Sequence, residues 1–353
     1  MTKGKAWVAM SGGVDSSVAA YLMRQTGFDC AGVTMKLYDG EVSSNRTCCS
    51  LEDVEDARSV AYGLQMPYYV LNFKEEFERF VMRPFADAYC GGKTPNPCIA
   101  CNRYLKFHAL LQRARIMGAE YVATGHYARI EQAAGRYLLR KGVDSGKDQS
   151  YVLYAMTQEQ LAHTLFPLGQ YRKEEIREIA QNQGFINAKK RDSQDICFVP
   201  DRDYAAFLAR YLGRSFPAGD FVATDGAFLG KHQGIVRYTI GQRRNLGLSW
   251  SQRMYVCQKD AATNTVVLGQ DAQLYAKSLE AEDLNLIPFD FLGGKLRCKA
   301  KIRYNQTEQS ATVWQTAEKR LHLEFDAPQR AITRGQAVVL YDGDIVLGGG
   351  TIL

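Results

Sequence analysis

Long apolar runs are absent from this sequence of 353 residues. No stretch reaches the roughly 18 apolar residues that a membrane-spanning helix needs. The segment Met1–Lys5 leads directly into a short apolar strand and lacks the apolar core of a secretory signal. These two absences predict a cytoplasmic protein with no membrane partner.

A paired cysteine framework is also missing. The nine cysteines are an odd number, and no export signal accompanies them, so structural disulfides are not expected. Catalytic, redox or metal-binding cysteines are expected instead. Cys30 and Cys257 lie within apolar stretches and are expected to be small buried side chains.

Internal repeats and low-complexity tracts are absent too. With 46% hydrophobic and 23% charged residues, the composition is typical of a globular protein, and the length predicts two or three domains. The net charge of +6 is compatible with a polyanionic partner but does not by itself indicate one.

Short apolar runs alternate with helical patterns over the first 130 residues. Four runs are predicted to be buried parallel strands: Lys5–Met10, Cys30–Lys36, Pro67–Phe73 and Tyr121–Thr124. This alternation predicts a doubly wound α/β domain, which binds ligands at the carboxyl ends of its strands. We assign it to residues 1–200, a small central domain to 201–275, and an antiparallel β-barrel, indicated by period-two patterns, to 276–353.

Helix signals accompany these strands. Ser50 and Asp53 are predicted to form a capping box, and further helices are predicted over Tyr171–Gly184 and Tyr204–Leu212. Another amphipathic helix is predicted through Phe107, after the segment Thr94–Arg103.

The segment Ser11–Ser17, Ser-Gly-Gly-Val-Asp-Ser-Ser, follows the first predicted strand and begins the first helix. Two glycines let the backbone approach an anion, while hydroxyls and the free N–H groups of a helix N-terminus bind one. The segment therefore predicts a phosphate site, with a tight turn beside a capped helix as the alternative. A Walker A loop is excluded because its Lys-Ser/Thr ending is missing.

This loop resembles the pyrophosphate loop of the N-type ATP pyrophosphatases. The resemblance implies that ATP is cleaved between its α and β phosphates, that a substrate oxygen is adenylated, and that pyrophosphate leaves. It also implies that Asp15 holds a magnesium ion at the phosphates. The class contains amide-forming synthetases as well as tRNA sulfur transferases, and the loop alone does not distinguish them.

Two further segments carry cysteines in settings that favour the thiolate. Cys98 and Cys101 lie near a predicted helix N-terminus with Arg103 close by, and Cys197 follows Lys189–Arg191. A thiolate is what carries or attacks persulfide sulfur. Zinc is the alternative for the Cys-x-x-Cys pair, but a second pair is missing. Its candidate further ligands are Cys48, Cys49 and Cys90.

Six motifs in this order resemble those of the tRNA-specific 2-thiouridylases, a family that modifies the wobble uridine. They are Ser11–Ser17, Thr94–Asn102, Ala123–Tyr127, Lys147–Tyr151, Asp192–Phe198 and Tyr238–Arg243. The resemblance covers essentially the whole chain. It implies a sulfurtransferase that uses ATP and Mg²⁺, a tRNA with a wobble uridine as partner, and an upstream persulfide donor, either a cysteine desulfurase or a relay protein.

The resemblance also implies roles for individual residues. Cys101 resembles the family's nucleophile and Cys197 its persulfide carrier. The nucleotide contacts are expected at Ala9, Met10, Ser11, Gly12, Gly13, Val14, Asp15, Ser16, Met35 and Gly125. The target base is expected at Asn96, Pro97 and Cys98, and tRNA contacts are expected at His126, Lys147, Asp148, Gln149, Arg303, Tyr304 and Gln336. For His126, packing beside the nucleotide is the alternative.

Cys98 departs from the family pattern, because many members have Asp at this position. A carboxylate that assists at the base is therefore not expected here. The departure also provides three thiols, Cys98, Cys101 and Cys197, which could hold a [4Fe–4S] cluster with one open position. Two routes for sulfur stay open: a persulfide with a transient Cys101–Cys197 disulfide, or cluster-bound sulfide.

The segment Lys295–Arg303 alternates between cations and apolar residues. Its five cations are predicted to share one face of a strand and to contact tRNA phosphates, with a solvated surface as the alternative.

Two other functions account for fewer of these features. An amide-forming synthetase would need a glutaminase domain or another ammonia source, for which the length leaves no room, and would leave the three thiols without a role. A non-catalytic tRNA-binding protein would leave Asp15 and the thiols unexplained.

Overall fold

The computed structural model describes residues 2–38, 50–192, 196–199, 201–247 and 252–353. Cys48 and Cys49, and Ser193–Asp195 of the motif Asp192–Phe198, therefore lie outside the described residues. Within the described ranges, no helix is both long and apolar enough to cross a bilayer. The cytoplasmic location stays a prediction.

The first part of the chain alternates strands and helices. Its strands are β1 (Lys5–Ala9), β2 (Asp29–Lys36), β3 (Tyr68–Asn72), β4 (Tyr121–Ala123), β5 (Ala128–Ala133), β6 (Arg136–Lys141) and β7 (Thr164–Leu165). Its α-helices are α1 (Val14–Gln25), α2 (Leu51–Gly63), α3 (Lys74–Phe77), α4 (Arg83–Cys90), α5 (Pro97–Ala100), α6 (Leu110–Ile116), α7 (Gln158–Ala162) and α8 (Lys173–Asn182).

A parallel sheet organises this domain, with the strand order β3-β2-β1-β4-β7. All four predicted strands form and pair in parallel, and β7 extends the sheet beyond them. The prediction that they are buried is wrong for β3, which lies at the edge of the sheet with Tyr69 and Val70 exposed. Strand β1 is buried at Ala6, Trp7 and Val8 because helices cover both faces of the sheet. The predicted α/β fold is therefore confirmed.

Local helix signals are confirmed as well. The Ser50 side chain accepts from the Asp53 N–H, while the Asp53 carboxylate accepts from Ser50 in return. Helix α8 buries Ile176 and Ala180, and Gly184 follows its end with φ +66°.

The chain from Pro97 to Ile116 is one helical run with an irregular centre. Residues Cys101–Ala109 form a π-helix between α5 and α6, and Glu78–Met82 form a second π-helix between α3 and α4. The wider π turn is common at functional sites. The sequence predicted a regular helix here, because the apolar residues repeat at α-helical spacing.

The central domain begins with helix α9 (Tyr204–Leu212), which matches its predicted bounds. A four-stranded sheet follows, in the order β10-β11-β8-β9. Its strands are β8 (Gly219–Ala223), β9 (Phe228–His232), β10 (Tyr255–Asp260) and β11 (Thr265–Gly269). Phe207 of α9 and Phe221 of β8 join the same apolar cluster as Phe77 and Phe85, so the central domain packs directly on the first.

The C-terminal strands are β12 (Tyr275–Leu286), β13 (Leu296–Lys301), β14 (Gln309–Ala317), β15 (Arg320–Arg330), β16 (Ala337–Asp342) and β17 (Ile345–Ile352). They pair antiparallel in the order β12-β15-β14-β13-β16-β17, and β12 also pairs with β17, which closes the predicted barrel. The hairpin β5–β6 of the first domain pairs with β17. The sequence did not predict that link between the domains.

Candidate active site

The predicted nucleotide-binding residues meet at one edge of the parallel sheet. Ser11–Ser16 follow β1, Met35 lies near the end of β2, and Gly125 follows β4. Because the carboxyl ends of parallel strands share an edge, these residues converge without being close in sequence.

The loop before α1 is held in place by hydrogen bonds to its own hydroxyl groups. The main-chain N–H of Ser11 donates to Ser16 Oγ at 3.1 Å, and the Ser16 and Ser17 hydroxyls donate to the Gly13 carbonyl at 2.9 and 3.1 Å. Asn187 donates to the Gly12 carbonyl at 2.9 Å. These bonds occupy the Gly12 and Gly13 carbonyl groups, and the N-cap residue of α1, Gly13, provides no side chain to cap the helix.

Two glycines permit the close packing around this loop. Gly12 has φ +73°, and a Cβ there would overlap the carbonyl oxygen of Asp53 in the first turn of α2. A Cβ at Gly125 would lie 2.8 Å from the Asp15 carbonyl carbon. Any side chain at either position would displace the loop backbone.

Asp15 is already engaged by two side chains. Lys173 Nζ lies 2.7 Å from its Oδ1, and the Tyr127 hydroxyl donates to the same oxygen at 2.8 Å. Burial, together with the neighbouring Asp15 carboxylate, raises the pKa of Tyr127, which keeps this hydroxyl a donor. Lys173 is buried, so its charge faces carboxylates rather than water. The sequence reasoning missed Lys173.

Asp192 joins this pair to other parts of the site. Its carboxylate lies 2.8 Å from Lys173, 2.7 Å from Lys147 and 3.0 Å from Arg177. Burial raises the pKa of Asp192, but the hydrogen bonds from Lys147 and Lys173 outweigh it and hold the pKa below the usual value. We call Asp15, Lys173, Asp192, Lys147 and Arg177 the charge network. It connects the phosphate loop to the segments that contain Lys147 and Cys197.

The segment that carries Cys98 and Cys101 begins with a capped turn. The Asn96 side chain accepts from the Cys98 N–H at 3.1 Å, and Pro97 occupies the first turn of α5. Cys98 is exposed, whereas Cys101, the first residue of the π-helix, is buried. The predicted pair therefore has one exposed thiol and one buried thiol.

Cys197 is half-buried and is held on its C-terminal side by aromatic packing. The Phe198 ring lies 5.2 Å from Phe85 and 5.6 Å from Phe77, and the Tyr38 hydroxyl donates to the Cys197 carbonyl at 2.6 Å. Cys101 belongs to the same apolar cluster, and Cys197 packs against it. The two predicted reactive thiols thus lie around one cluster.

A metal centre built from side chains is not formed in the described residues. No three His, Cys, Asp or Glu side chains there are gathered to hold a metal ion, so Cys98, Cys101 and Cys197 are not a ligand set in this conformation. The residues do not fit an iron–sulfur cluster as they stand. Cys90 likewise belongs to no such group, and the zinc alternative has no support from the described geometry.

Three other cysteines are in settings unsuited to reaction. Burial raises the pKa of Cys30 to about 11 and that of Cys298 to about 12, and it also raises the pKa of the half-buried Cys257. Thiols of this kind stay protonated at neutral pH. The expectation for Cys30 is confirmed, while Cys257 is less buried than expected.

The predicted tRNA residues of the first domain are engaged within the protein. Lys147 belongs to the charge network, Asp148 Oδ1 accepts from the Gly142 N–H at 3.0 Å, and Gln149 accepts from the Tyr127 N–H at 2.9 Å. His126 is buried, with its ring centroid 5.8 Å from Phe107 and from Phe166. Burial, aided by the Lys106 charge, holds the pKa of His126 well below the usual value, so it is neutral. Both the tRNA contact of His126 and its packing beside the nucleotide stay predictions.

Two of the three predicted barrel residues, Tyr304 and Gln336, contact the first domain. The Tyr304 hydroxyl donates to the Asp148 carbonyl at 3.0 Å, and Gln336 Nε2 donates to the Thr94 carbonyl at 2.7 Å. Arg303 donates to the carbonyls of Arg330 and Ala331. Burial raises the pKa of Tyr304 to about 12, with Asp148 and Cys98 contributing.

The basic strand β13 has the predicted alternation. Cys298, Ala300 and Ile302 are buried, while Arg297 and Lys299 are exposed. Arg297 forms a bidentate ion pair with Asp326, with both N···O distances 2.8 Å, and Lys295 Nζ lies 4.5 Å from the Trp314 ring centroid. Part of the predicted phosphate-binding face is therefore occupied by the barrel's own side chains.

Comparisons with known families cover the chain in three pieces. A model described as tRNA methyl transferase HUP domain matches residues 4–201, a tRNA methyl transferase PRC-barrel domain matches 205–270, and an aminomethyltransferase beta-barrel domain matches 276–352. The first match spans more than half of the chain.

Full-length curated relatives agree on one name. The chain is 52% identical to the tRNA-specific 2-thiouridylase MnmA of Clostridioides difficile, over 99% of this chain and 98% of that protein. It is 49% identical to the protein of the same name from Clostridium acetobutylicum, over 99% of both chains. A third, from Acetivibrio thermocellus, is 50% identical over the full length of both.

Proposed function

This chain belongs to the family of tRNA-specific 2-thiouridylases, and we propose on that basis that it is an ATP-dependent tRNA sulfurtransferase that makes 2-thiouridine at the wobble position. The observation that carries the proposal is the link between the phosphate-binding loop and a segment with a reactive thiol. A phosphate-binding loop at Asp15 is joined through Lys173 and Asp192 to the chain segment that leads to Cys197. Methyl transfer, which the family-model names mention, gives no role to this pairing of a phosphate loop with reactive thiols.

The first step proposed is adenylation of the uridine. The C2 oxygen attacks the α-phosphorus of ATP, the bond to the β-phosphate oxygen breaks, and pyrophosphate leaves. The loop N–H groups and hydroxyls of Ser11–Ser17 bind the phosphates, and the α1 dipole favours their negative charge. The target base must leave its stack to reach this edge.

Asp15 fits a role at magnesium because Mg²⁺ takes one or two carboxylates together with substrate phosphates. Its carboxylate is about one-third exposed at the loop and already stands beside a cation. Magnesium would offset the charge of the departing pyrophosphate. Lys173, which contacts the same oxygen, would share that task.

The second step proposed is sulfur transfer by the persulfide route. The terminal sulfur of a Cys197 persulfide attacks C2, the C2–O bond breaks, and AMP leaves with that oxygen. The Cys101 thiolate then attacks the Cys197 sulfur, releases 2-thiouridine and forms a Cys101–Cys197 disulfide. An external thiol reductant supplies the two electrons that regenerate both thiols. No step is derived through an iron–sulfur cluster.

The partners proposed are a tRNA with a wobble uridine and an upstream protein persulfide donor. Shared family membership and the exposure of Cys98 in the predicted base-site segment support the tRNA assignment. The predicted contacts at Lys147, Asp148, Gln149, Arg303, Tyr304 and Gln336 remain proposals, as does the location in the cytoplasm.

A single assay tests the function. Purified protein is mixed with ATP, Mg²⁺, an unmodified tRNA transcript with a wobble uridine, and a persulfide donor. We expect AMP, pyrophosphate and 2-thiouridine in equal amounts. A matched transcript with cytidine at the wobble position should give none of them. Pyrophosphate release without a thiolated base would reject sulfur transfer.

A further inference from the structure

The segment before the thiols is tied to the barrel by its own main chain. The Thr94 N–H donates to the Arg334 carbonyl at 2.9 Å, and Gln336 Nε2 donates to the Thr94 carbonyl at 2.7 Å. Both main-chain groups of one loop residue are therefore bonded to a single turn that lies about 240 positions later in the sequence. Such groups on a surface loop are more often satisfied locally or by water.

The turn itself, Thr333–Gln336, is fixed to the last strand. The Gly335 N–H donates to the Ile352 carbonyl at 2.9 Å, and the Ile352 N–H donates to the Gln336 carbonyl at 2.8 Å. Gly335 has φ +87°, and a Cβ there would lie 2.9 Å from the Lys93 Cβ. The turn is thus held by the last strand and packs closely against the loop that contains Thr94.

A short, stiff path leads from Thr94 to the thiols. Pro95 and Pro97 restrict the backbone on either side of Asn96. Asn96 in turn caps the helix that contains Cys98, and Cys101 follows one turn later. A shift at Thr94 is therefore transmitted to Cys98 and Cys101 and is not absorbed by flexible residues.

We propose that the barrel turn Thr333–Gln336 positions the thiol-bearing segment, and that Gln336 is a positioning residue for the sulfur-transfer reaction. The proposal rests on the proposed function and gives the barrel a part in the reacting site beyond tRNA docking. A primary amide has two N–H donors and an acceptor. Gln336 can therefore hold Thr94 and meet a docked tRNA at the same time, which would link docking to the position of the thiols.

The test uses Gln336→Met in the full chain, which keeps the side-chain length but removes the donor. Alkylation of Cys101 by iodoacetamide, without tRNA, is followed by peptide mass spectrometry. Cys101 is buried, so its alkylation rate reports release of the segment, while the buried Cys298 in the barrel core reports general unfolding. We expect Cys101 alkylation to rise several-fold and Cys298 alkylation to stay unchanged. Arg334→Ala is the matched control, because Arg334 contributes only its carbonyl.

Kinetics give the second readout. At saturating tRNA and ATP, Gln336→Met should lower kcat for thiolation about three- to tenfold, as expected for the loss of one hydrogen bond. A residue that only contacts tRNA would raise KM and leave kcat and Cys101 alkylation as in the wild type, and this result would overturn the proposal. Faster alkylation of both Cys101 and Cys298 would also overturn it, since the turn would then serve folding in general.

These outcomes are separate from a failure of the proposed function. If the wild-type protein made no 2-thiouridine, the function would be rejected by the wild type alone. The alkylation comparison would still decide whether Gln336 holds the segment.

Discussion

Two positively charged regions of this molecule are organised in different ways. At the edge of the parallel sheet, Lys147, Lys173 and Arg177 converge on one carboxylate, Asp192. On strand β13, individual cations have separate neighbours, as Arg297 has Asp326 and Lys295 has the Trp314 ring. The difference teaches that periodicity in a sequence finds cations that share a face, but not cations that share a partner.

If the reaction takes place at this edge of the parallel sheet, the thiols should control sulfur transfer and the Asp15 carboxylate should control adenylation. Cys101→Ser and Cys197→Ser should each eliminate 2-thiouridine formation, because a hydroxyl can neither carry nor resolve a persulfide. Pyrophosphate release should continue in both. Product nucleosides and pyrophosphate are measured in parallel, with Cys90→Ser as the control. Thiolation by the Cys197→Ser protein would remove that residue as the carrier.

Cys98→Asp separates the two sulfur routes within the same experiment. Thiolation should persist if sulfur travels by persulfide. Loss of thiolation together with loss of iron and acid-labile sulfide from protein purified without oxygen would favour the cluster route.

The Asp15 carboxylate of the charge network should control the earlier step, adenylation. Asp15→Asn should lower pyrophosphate release about a thousandfold or more, because a magnesium ligand at the phosphates contributes several kcal/mol to the transition state. Affinity for tRNA should change by less than about threefold. Glu76→Gln, which alters an ion pair with Arg113 elsewhere in the domain, is the control. Normal turnover by Asp15→Asn would contradict the loop assignment.

Lys259 differs from the cations of both regions. It is buried, and its Nζ has no hydrogen-bond partner within the described residues. Burial lowers its pKa from 10.5 to about 8. Between these two values the unfolded chain binds more protons, so the contribution of Lys259 to the free energy of unfolding rises with pH and is least favourable below about pH 8.

Lys259→Met should therefore raise the free energy of unfolding at pH 7 by about 3 kcal/mol. The difference from wild type should shrink as pH rises above 8, where the native amine is neutral. Thermal unfolding at several pH values measures this, with Lys231→Met, an exposed cation of the same domain, as the control. A difference that did not vary with pH would show that the amine keeps its charge in the folded protein.

The smallest effect is expected on β13. Lys299 is exposed and Arg297 is already paired, so only Lys299→Glu should weaken tRNA binding noticeably, by a few-fold at low salt. The salt dependence of binding should flatten by about one unit of slope or slightly more. Arg297→Met should have little effect. Equal losses of tRNA affinity in both variants would mean that the Arg297–Asp326 pair opens when tRNA binds. Strand β13 and the charge network would then differ less in the complex than in the free protein.

The fold was predictable because its signals are local. The four parallel strands, the Ser50–Asp53 capping box and helix α9 each depend on residues close in sequence, and each was found. The glycine-rich loop was found for the same reason. Lys173 and Asp192 could not be paired with Asp15 in advance, because their contacts join residues up to 158 positions apart. The π-helix at Cys101 was missed because a single wide turn barely disturbs α-helical periodicity.

The hairpin β5–β6 also has a consequence for how the chain can be divided. The Lys141 N–H donates to the Asp344 carbonyl at 2.8 Å, and Arg129 and Arg140 both bind the Asp344 carboxylate. A barrel expressed from residue 276 onward would keep the β12–β17 pairs that close it but lose the contacts that the hairpin makes with Asp344 and Ile345. The barrel therefore depends in part on the first domain, and expressed alone it should be less stable than it is in the full chain.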